Sequence, residues 1–367
     1  ESILLGPVVL AVDETSASVW VKGVEAGAYR VKYRLRNSSD SWSYSNSASL
    51  ASSTRFTGTV QLTGLIASTT YEYQPQMDYG GGFQDEASLQ YFKTACQAGK
   101  TCSYSFTFGA CKRAPASPFG ILCRIKNDLT PDFNLEIGDF VYLDTDVVMS
   151  PVQNNEDSKA SVESKFIDVW LSSCFKSLAS STPYLFQRDD HEDNDDVARN
   201  SLYPYHMGID WEIRDKNGAV SRFESPTRSD ITKEINSYYW FNGIPDSLKR
   251  SMASSSGYEY AFSYGDSRFI LPDVRWYRDD QWATDNSSKS LWGSVQKTWL
   301  VNQIQNPPSG TKIIFMILAG STKYATGAHN GSQNSKTYKS EDVSGCAGGM
   351  GECTGGYETD IQAIWEE

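Results

Sequence analysis

The chain has 367 residues, enough for two or three domains and a large apolar core. Aromatic residues make up 13% of it, with 21 Tyr and 10 Trp, which argues against disorder. A formal charge of −12 speaks against nucleic acid as a partner, since phosphate backbones are met by Lys and Arg, and it suits a protein that holds cations.

In chain order, the first 95 residues read as strands alone. "SASVWVKG" (16–23), "YRVKYRLR" (29–36), "RFTGTVQL" (55–62) and "YEYQPQMD" (71–78) alternate apolar and polar residues, with Ser, Gly and Asp between them. That pattern predicts an antiparallel sandwich. The stretch "LTGLIASTTYEYQP" (62–75) resembles the corner of fibronectin type III domains, where a Tyr caps a turn after a Leu. The apolar opening "SILLGPVVLAV" (2–12) reads as the first strand of this sandwich, or else as a strand offered to another chain. The chain opens at Glu1 without a basic, apolar leader, as expected of a processed or partial sequence.

A linker spans 96–103, and from Tyr104 strands and helices alternate. "YSFTFGA" (104–110), "DFNLEIG" (132–138) and "PYLFQ" (183–187) read as strands, and "PFGILCRIKND" (118–128) as a helix. "KASVESKFIDVWLSSCFKSLA" (159–179) carries Val162, Phe166, Trp170, Cys174 and Leu178 on one face and predicts one long helix. This βαβαβ order implies a sheet covered by helices over 104–367. Farther on, "YEYAFSYGDSRFILPDV" (258–274) predicts a hairpin turning at Gly265-Asp266. "SLWGSVQKTWLVNQIQ" (290–305) predicts a helix, and "KIIFMILAG" (312–320) a buried strand too short for the ~20 residues of a membrane span. The Gly-, Ser- and Asn-rich segment 325–356 reads as a surface loop.

Seven cysteines and three sequons bear on the compartment. Cys96 with Cys102, and Cys346 with Cys353, each bracket a short Gly-containing loop that a local disulfide could close. Pairing Cys123 with Cys174 leaves Cys111 alone. With the glycosylation triplets at Asn37, Asn286 and Asn330, this pattern predicts a secreted or extracellular glycoprotein.

The first three strands of the second part each run into a polar group able to bind metal. The first reaches Cys111 ("FGACKR"), the second Asp139 and Tyr142 ("GDFVY"), and the third Asp190 and His191 ("QRDDHEDND"). In a parallel sheet such strand ends lie side by side, so residues eighty positions apart can converge. Thiolate, phenolate and carboxylate together suit a hard trivalent iron, whereas carboxylates alone suit calcium, magnesium or manganese. Taken singly, Cys111 also reads as a small packing thiol, Tyr142 as a core aromatic, and 189–196 as a solvated acidic loop.

"FGAC", "GDFVY", "DDHE" and "LPDVRWYRD", in this order behind a β-sandwich, resemble the alkaline phosphatase D (PhoD-like) metallophosphatases. The resemblance implies phosphoester hydrolysis at a centre of ferric iron and calcium. It implies Cys111 and Tyr142 on the iron, Asp139 between the two metals, and Asp190 on the second. His191 would donate a hydrogen bond to the phosphoryl oxygens or the leaving group. Asp273 and Arg275 match a stretch that orients structure or substrate. The family also takes histidines from a later GDxH or GHxH segment, which this sequence lacks, and "YETDIQAIWEE" (357–367) ends as if inside a helix. The α/β part is thus expected to be incomplete at its carboxy end, either because the protein continues past Glu367 or because it has lost half its centre. The alternative to an enzyme is an extracellular scaffold that keeps the fold and self-assembles through an open sheet edge.

Overall fold

The computed structural model describes residues 2–112, 118–143, 155–192, 213–214, 220–221, 225–251, 253, 257–279 and 287–319. Asn286, Asn330, Cys346, Cys353 and the expected loop at 325–356 lie outside them.

The amino-terminal part is a sandwich of two antiparallel sheets. One sheet has the order β1 (Ile3–Val12), β2 (Ser16–Gly23), β6 (Thr57–Thr63). The other is built on β3 (Gly27–Leu35) and β7 (Thr70–Asp78), with β4 (Ser43–Tyr44) and β5 (Ala48–Leu50) on β3, and β8 (Gln84–Asp85) and β9 (Gln90–Lys93) on β7. Alternation puts Val19, Val21, Tyr29, Val31, Val60, Leu62, Tyr73 and Phe92 inside. The corner after Leu65 is closed as the sequence suggests, since the Ile66 amide donates to the Tyr71 hydroxyl at 3.0 Å.

β1 is buried on both faces. Ile3, Val9 and Val12 enter the sandwich core, while Leu5, Val8, Leu10 and Ala11 enter the larger core of the α/β part. Register shifts along the β1–β2 ladder break the strict alternation that would otherwise send every second side chain one way. The apolar opening therefore completes its own sandwich and seats it on the second part. Polar contacts finish the seam: Trp20 Nε1 donates to the Tyr238 carbonyl at 2.8 Å, and the Tyr73 hydroxyl to the Ser180 carbonyl at 2.6 Å.

The α/β part holds a three-stranded parallel sheet in the order β10 (Phe106–Gly109), β11 (Phe133–Ile137), β12 (Tyr184–Gln187). A second sheet pairs the hairpin β15 (Tyr260–Tyr264) and β16 (Ser267–Leu271) with β17 (Ile313–Met316). The hairpin turns at Gly265-Asp266, as the sequence predicts. Between the sheets, Phe106 stacks on Phe133 with centroids 5.1 Å apart, Phe262 on Phe269 at 4.9 Å, and Phe133 meets Phe262 and Phe269 edge-on. These are the arrangements the ring quadrupole favours.

Helices α1 (Gly120–Arg124), α2 (Asn155–Trp170), α3 (Ser173–Ala179), α4 (Ser225–Tyr239) and α5 (Gly293–Gln305) complete the described architecture, with a short pair β13 (Ile213–Arg214) and β14 (Val220–Ser221). The single helix expected over 159–179 is two. Ser172 leaves the helical path and caps α3 by accepting from the Phe175 amide. The apolar face survives the break, since Val162, Phe166, Trp170, Cys174 and Leu178 are all buried.

Candidate metal centre

The order β10-β11-β12 sets three carboxy-terminal strand ends side by side, and the expected residues meet there. Cys111 follows β10; its Sγ lies 3.3 Å from Asp139 Oδ2. The Tyr142 hydroxyl donates to the same oxygen at 3.4 Å. Asp139, Asp190 and His191 each offer one ligand atom, all within 4.8 Å of one another. Asp190 is fully buried, Asp139 nearly so, and His191 half-buried. Cys111 is exposed, carries a thiol and does not pack as a core residue.

Local backbone conformation makes this possible. Gly138, Asp139 and Cys111 all have positive φ, at +77°, +56° and +62°. At Gly138 a Cβ would stand 2.3 Å from the Asp189 Cβ, so only glycine lets the loop after β11 lie against the loop after β12. The left-handed conformation is unusual for a cysteine, and its recurrence at two site residues is the kind of strain that functional loops hold.

Glu192, which the sequence reading did not single out, lies fully buried beneath these loops. Its Oε2 accepts from the amides of Asp139 (3.1 Å) and Asp189 (2.8 Å), and its Oε1 from those of Phe140 (2.6 Å) and Val141 (3.3 Å). The Leu143 amide donates to the His191 carbonyl at 2.9 Å, adding a second stitch.

Arg275 arrives from the second sheet. Gln187 in β12 donates to the carbonyls of Pro272 (2.8 Å) and Ile317 (2.7 Å), which fixes the 272–275 turn against the end of β12. Arg275, 1% exposed, then donates from Nε to Asp189 Oδ1 at 2.6 Å and holds Asp190 Oδ1 at 3.7 Å. Asp273 does not join the centre. Its Oδ1 caps the turn by accepting the amides of Arg275 (2.9 Å) and Trp276 (2.8 Å), and its Oδ2 accepts that of Tyr258 (3.0 Å). Cys96 is joined to Cys102 and Cys123 to Cys174 by disulfides, and Asn37 is exposed on the sandwich.

The electrostatics are those of crowded anions. Burial, then the charges of Asp190 and Asp189, push the Asp139 carboxyl up to about 7. Partial burial and the Asp139 charge raise the Cys111 thiol and the Tyr142 phenol. Burial also raises Glu192, opposed by the amides that donate to it. The donor set fits a cation. Asp139 Oδ1 is buried and accepts no hydrogen bond from the described residues, while thiol and phenol protons crowd its Oδ2.

Comparison with known proteins gives the family and the fold. Residues 106–350, more than half of the chain, match the sequence profile of the PhoD-like phosphatases, and residues 1–88 match a domain of unknown function, DUF7800. A solved structure of PhoD superimposes with a TM-score of 0.65 at 16% identity, covering 83% of this chain and 60% of that one. The purple acid phosphatase PPD1 of yellow lupin (Lupinus luteus) seeds gives 0.58 at 12% identity, covering 98% of this chain and 56% of its own. The chain thus spans less than two thirds of these two structures, and at these identities they speak for the fold alone. No curated protein matches it. Among the described residues no helix is long and apolar enough to cross a membrane.

Proposed function

The chain belongs to the PhoD-like phosphatase family, and from that premise we propose that it is the hydrolytic part of a secreted, metal-dependent phosphoester hydrolase. The observation that carries the reading is the convergence of Cys111, Asp139, Tyr142, Asp190 and His191 on three adjacent strand ends. Cys111, Tyr142 and Asp139 would hold ferric iron, and Asp139 and Asp190 a calcium ion beside it. Thiolate and phenolate suit the first, and carboxylate oxygens the second. When bound, the metals supply Lewis-acid polarisation of a phosphoryl oxygen.

The protein's own groups do the rest. His191 stacks on the Tyr142 ring with centroids 4.1 Å apart, which orients its imidazole to donate a hydrogen bond to a phosphoryl oxygen or to the leaving group. Arg275 balances the charges of Asp189 and Asp190 and would steady the Asp190 carboxylate. Two disulfides and the exposed Asn37 sequon support an oxidising, extracellular setting.

Iron and calcium per chain, measured by elemental analysis of natively purified protein, test the reading. About one iron per chain, lost in Cys111→Ser, together with hydrolysis of a chromogenic phosphomonoester or phosphodiester, is the expected result. Undamaged protein containing neither metal would sink it.

A further inference from the structure

We propose that Glu192 is the positioning residue of the centre: its carboxylate sets the distance between the loop bearing Asp139 and Tyr142 and the loop bearing Asp190 and His191. The inference rests on the proposed metal centre for its purpose, though not for its geometry.

One carboxylate accepts four backbone amides, three from the first loop (Asp139, Phe140, Val141) and one from the second (Asp189). Oε1 is engaged by the first loop alone, and Oε2 bridges the loops, with the Asp139 and Asp189 amides on the same atom. Four buried N–H groups without an acceptor would be costly, so the loops close only around a group that accepts and never donates. Among neutral or anionic side chains of this length, only a carboxylate does so. Behind Glu192, buried Asn236 of α4 donates from Nδ2 to the Glu192 carbonyl at 3.2 Å and to the Thr232 carbonyl at 2.8 Å, and accepts from Trp240 Nε1 at 3.0 Å. Glu192 belongs to the second loop, and Asn236 ties its backbone there to α4 while its carboxylate reaches across to the first.

Among the described residues the Glu192 carboxylate accepts only backbone amides, so it acts through Asp139 and its neighbours. Glu192→Gln is the informative change. It keeps the size but sets an NH₂ against at least one pair of amide donors. Supporting groups behind metal ligands typically cost 10–100-fold in metal affinity when replaced.

The test uses the full chain and reads two quantities. The first is amide hydrogen exchange. In the wild type the amides of Asp139, Phe140, Val141 and Asp189 should be protected and open together. In Glu192→Gln, protection should fall in both loops at once, while β11 and β12 stay protected. The second is metal: iron per chain, and calcium affinity by titration, should fall about 10–100-fold relative to wild type and to a Tyr71→Phe control in the sandwich. Unchanged exchange in either loop, or unchanged metal affinity in a wild type that binds metal, overturns the proposal. If the variant does not fold, the wild-type exchange decides, since rapid, independent exchange at the four amides also overturns it. A wild type that binds no metal defeats the proposed function, and the exchange measurement still judges the clamp.

Discussion

Tyr142 and His191 lie ring on ring, centroids 4.1 Å apart and planes 29° apart, on loops that follow different strands. The contact separates two duties that mutagenesis can tell apart. Tyr142→Phe keeps the ring that orients the imidazole but removes the hydroxyl that reaches Asp139 Oδ2. It should lower iron per chain. His191→Gln should leave the metal content near wild type and lower kcat by about 10²–10³, the usual cost of one lost transition-state donor. Metal lost from His191→Gln would instead make the imidazole a ligand.

Arg275 gives the second prediction. It is the buried cation paired with Asp189 Oδ1 at 2.6 Å and close to Asp190 Oδ1 at 3.7 Å. Arg275→Met would strip charge compensation from carboxylates already crowded by Asp139. Breaking a buried pair from one side costs about 3–5 kcal/mol. Denaturant unfolding of the single variant should show a loss of that order, and adding Asp189→Asn should return part of it by removing the stranded charge. A loss below about 1 kcal/mol would mean the pair behaves as a surface one.

Much of this arrangement is legible in the sequence because the signals are local. Period-two alternation marks β2, Gly265-Asp266 marks the hairpin, and polar residues straight after three apolar strands mark the site. The break at Ser172 is hidden because Cys174 and Leu178 continue the spacing of Val162, Phe166 and Trp170 across it. Helix α4 escapes notice because its apolar face is thin, although buried Ile231, Ile235 and Tyr239 recur every four residues. Glu192 is illegible for a deeper reason. In an acidic run it reads like any solvated carboxylate, and three of its four partners are backbone amides some fifty residues away. No side-chain pattern announces such a contact.

The third prediction concerns pH in metal-free protein. An unfolded Asp titrates near ~4, whereas burial and the charges of Asp190 and Asp189 hold Asp139 at about 7 when folded. Between those values the folded state keeps a proton that the unfolded state releases. Stability should therefore fall as pH rises through that window and level off above it, by at most on the order of 4 kcal/mol from this group. Bound cations should abolish the slope, because they take the place of the proton. Urea unfolding from pH 5 to 8, with chelator and with metal, checks this. Chelated protein more stable at pH 8 than at pH 5 would contradict it, and Asp139→Asn should flatten the dependence.

The fourth prediction follows from β1. Leu5, Val8 and Leu10 enter the α/β core while Ile3, Val9 and Val12 enter the sandwich core, so one strand carries both. Leu10 is packed so closely that a Cβ on Gly243 would lie 2.2 Å from its Cδ1. At the same seam, Glu163 of α2 accepts from Lys22 Nζ at 2.8 Å and Arg55 Nε at 2.6 Å, so neither part can leave without stranding buried charge. Sandwich and α/β part should then melt in one calorimetric transition rather than two. Leu10→Ala should lower the stability of that single transition by about 2–5 kcal/mol, as expected for a well-packed leucine. Two transitions, with only the earlier one moved by Leu10→Ala, would show that the sandwich folds by itself and that β1 is merely its edge.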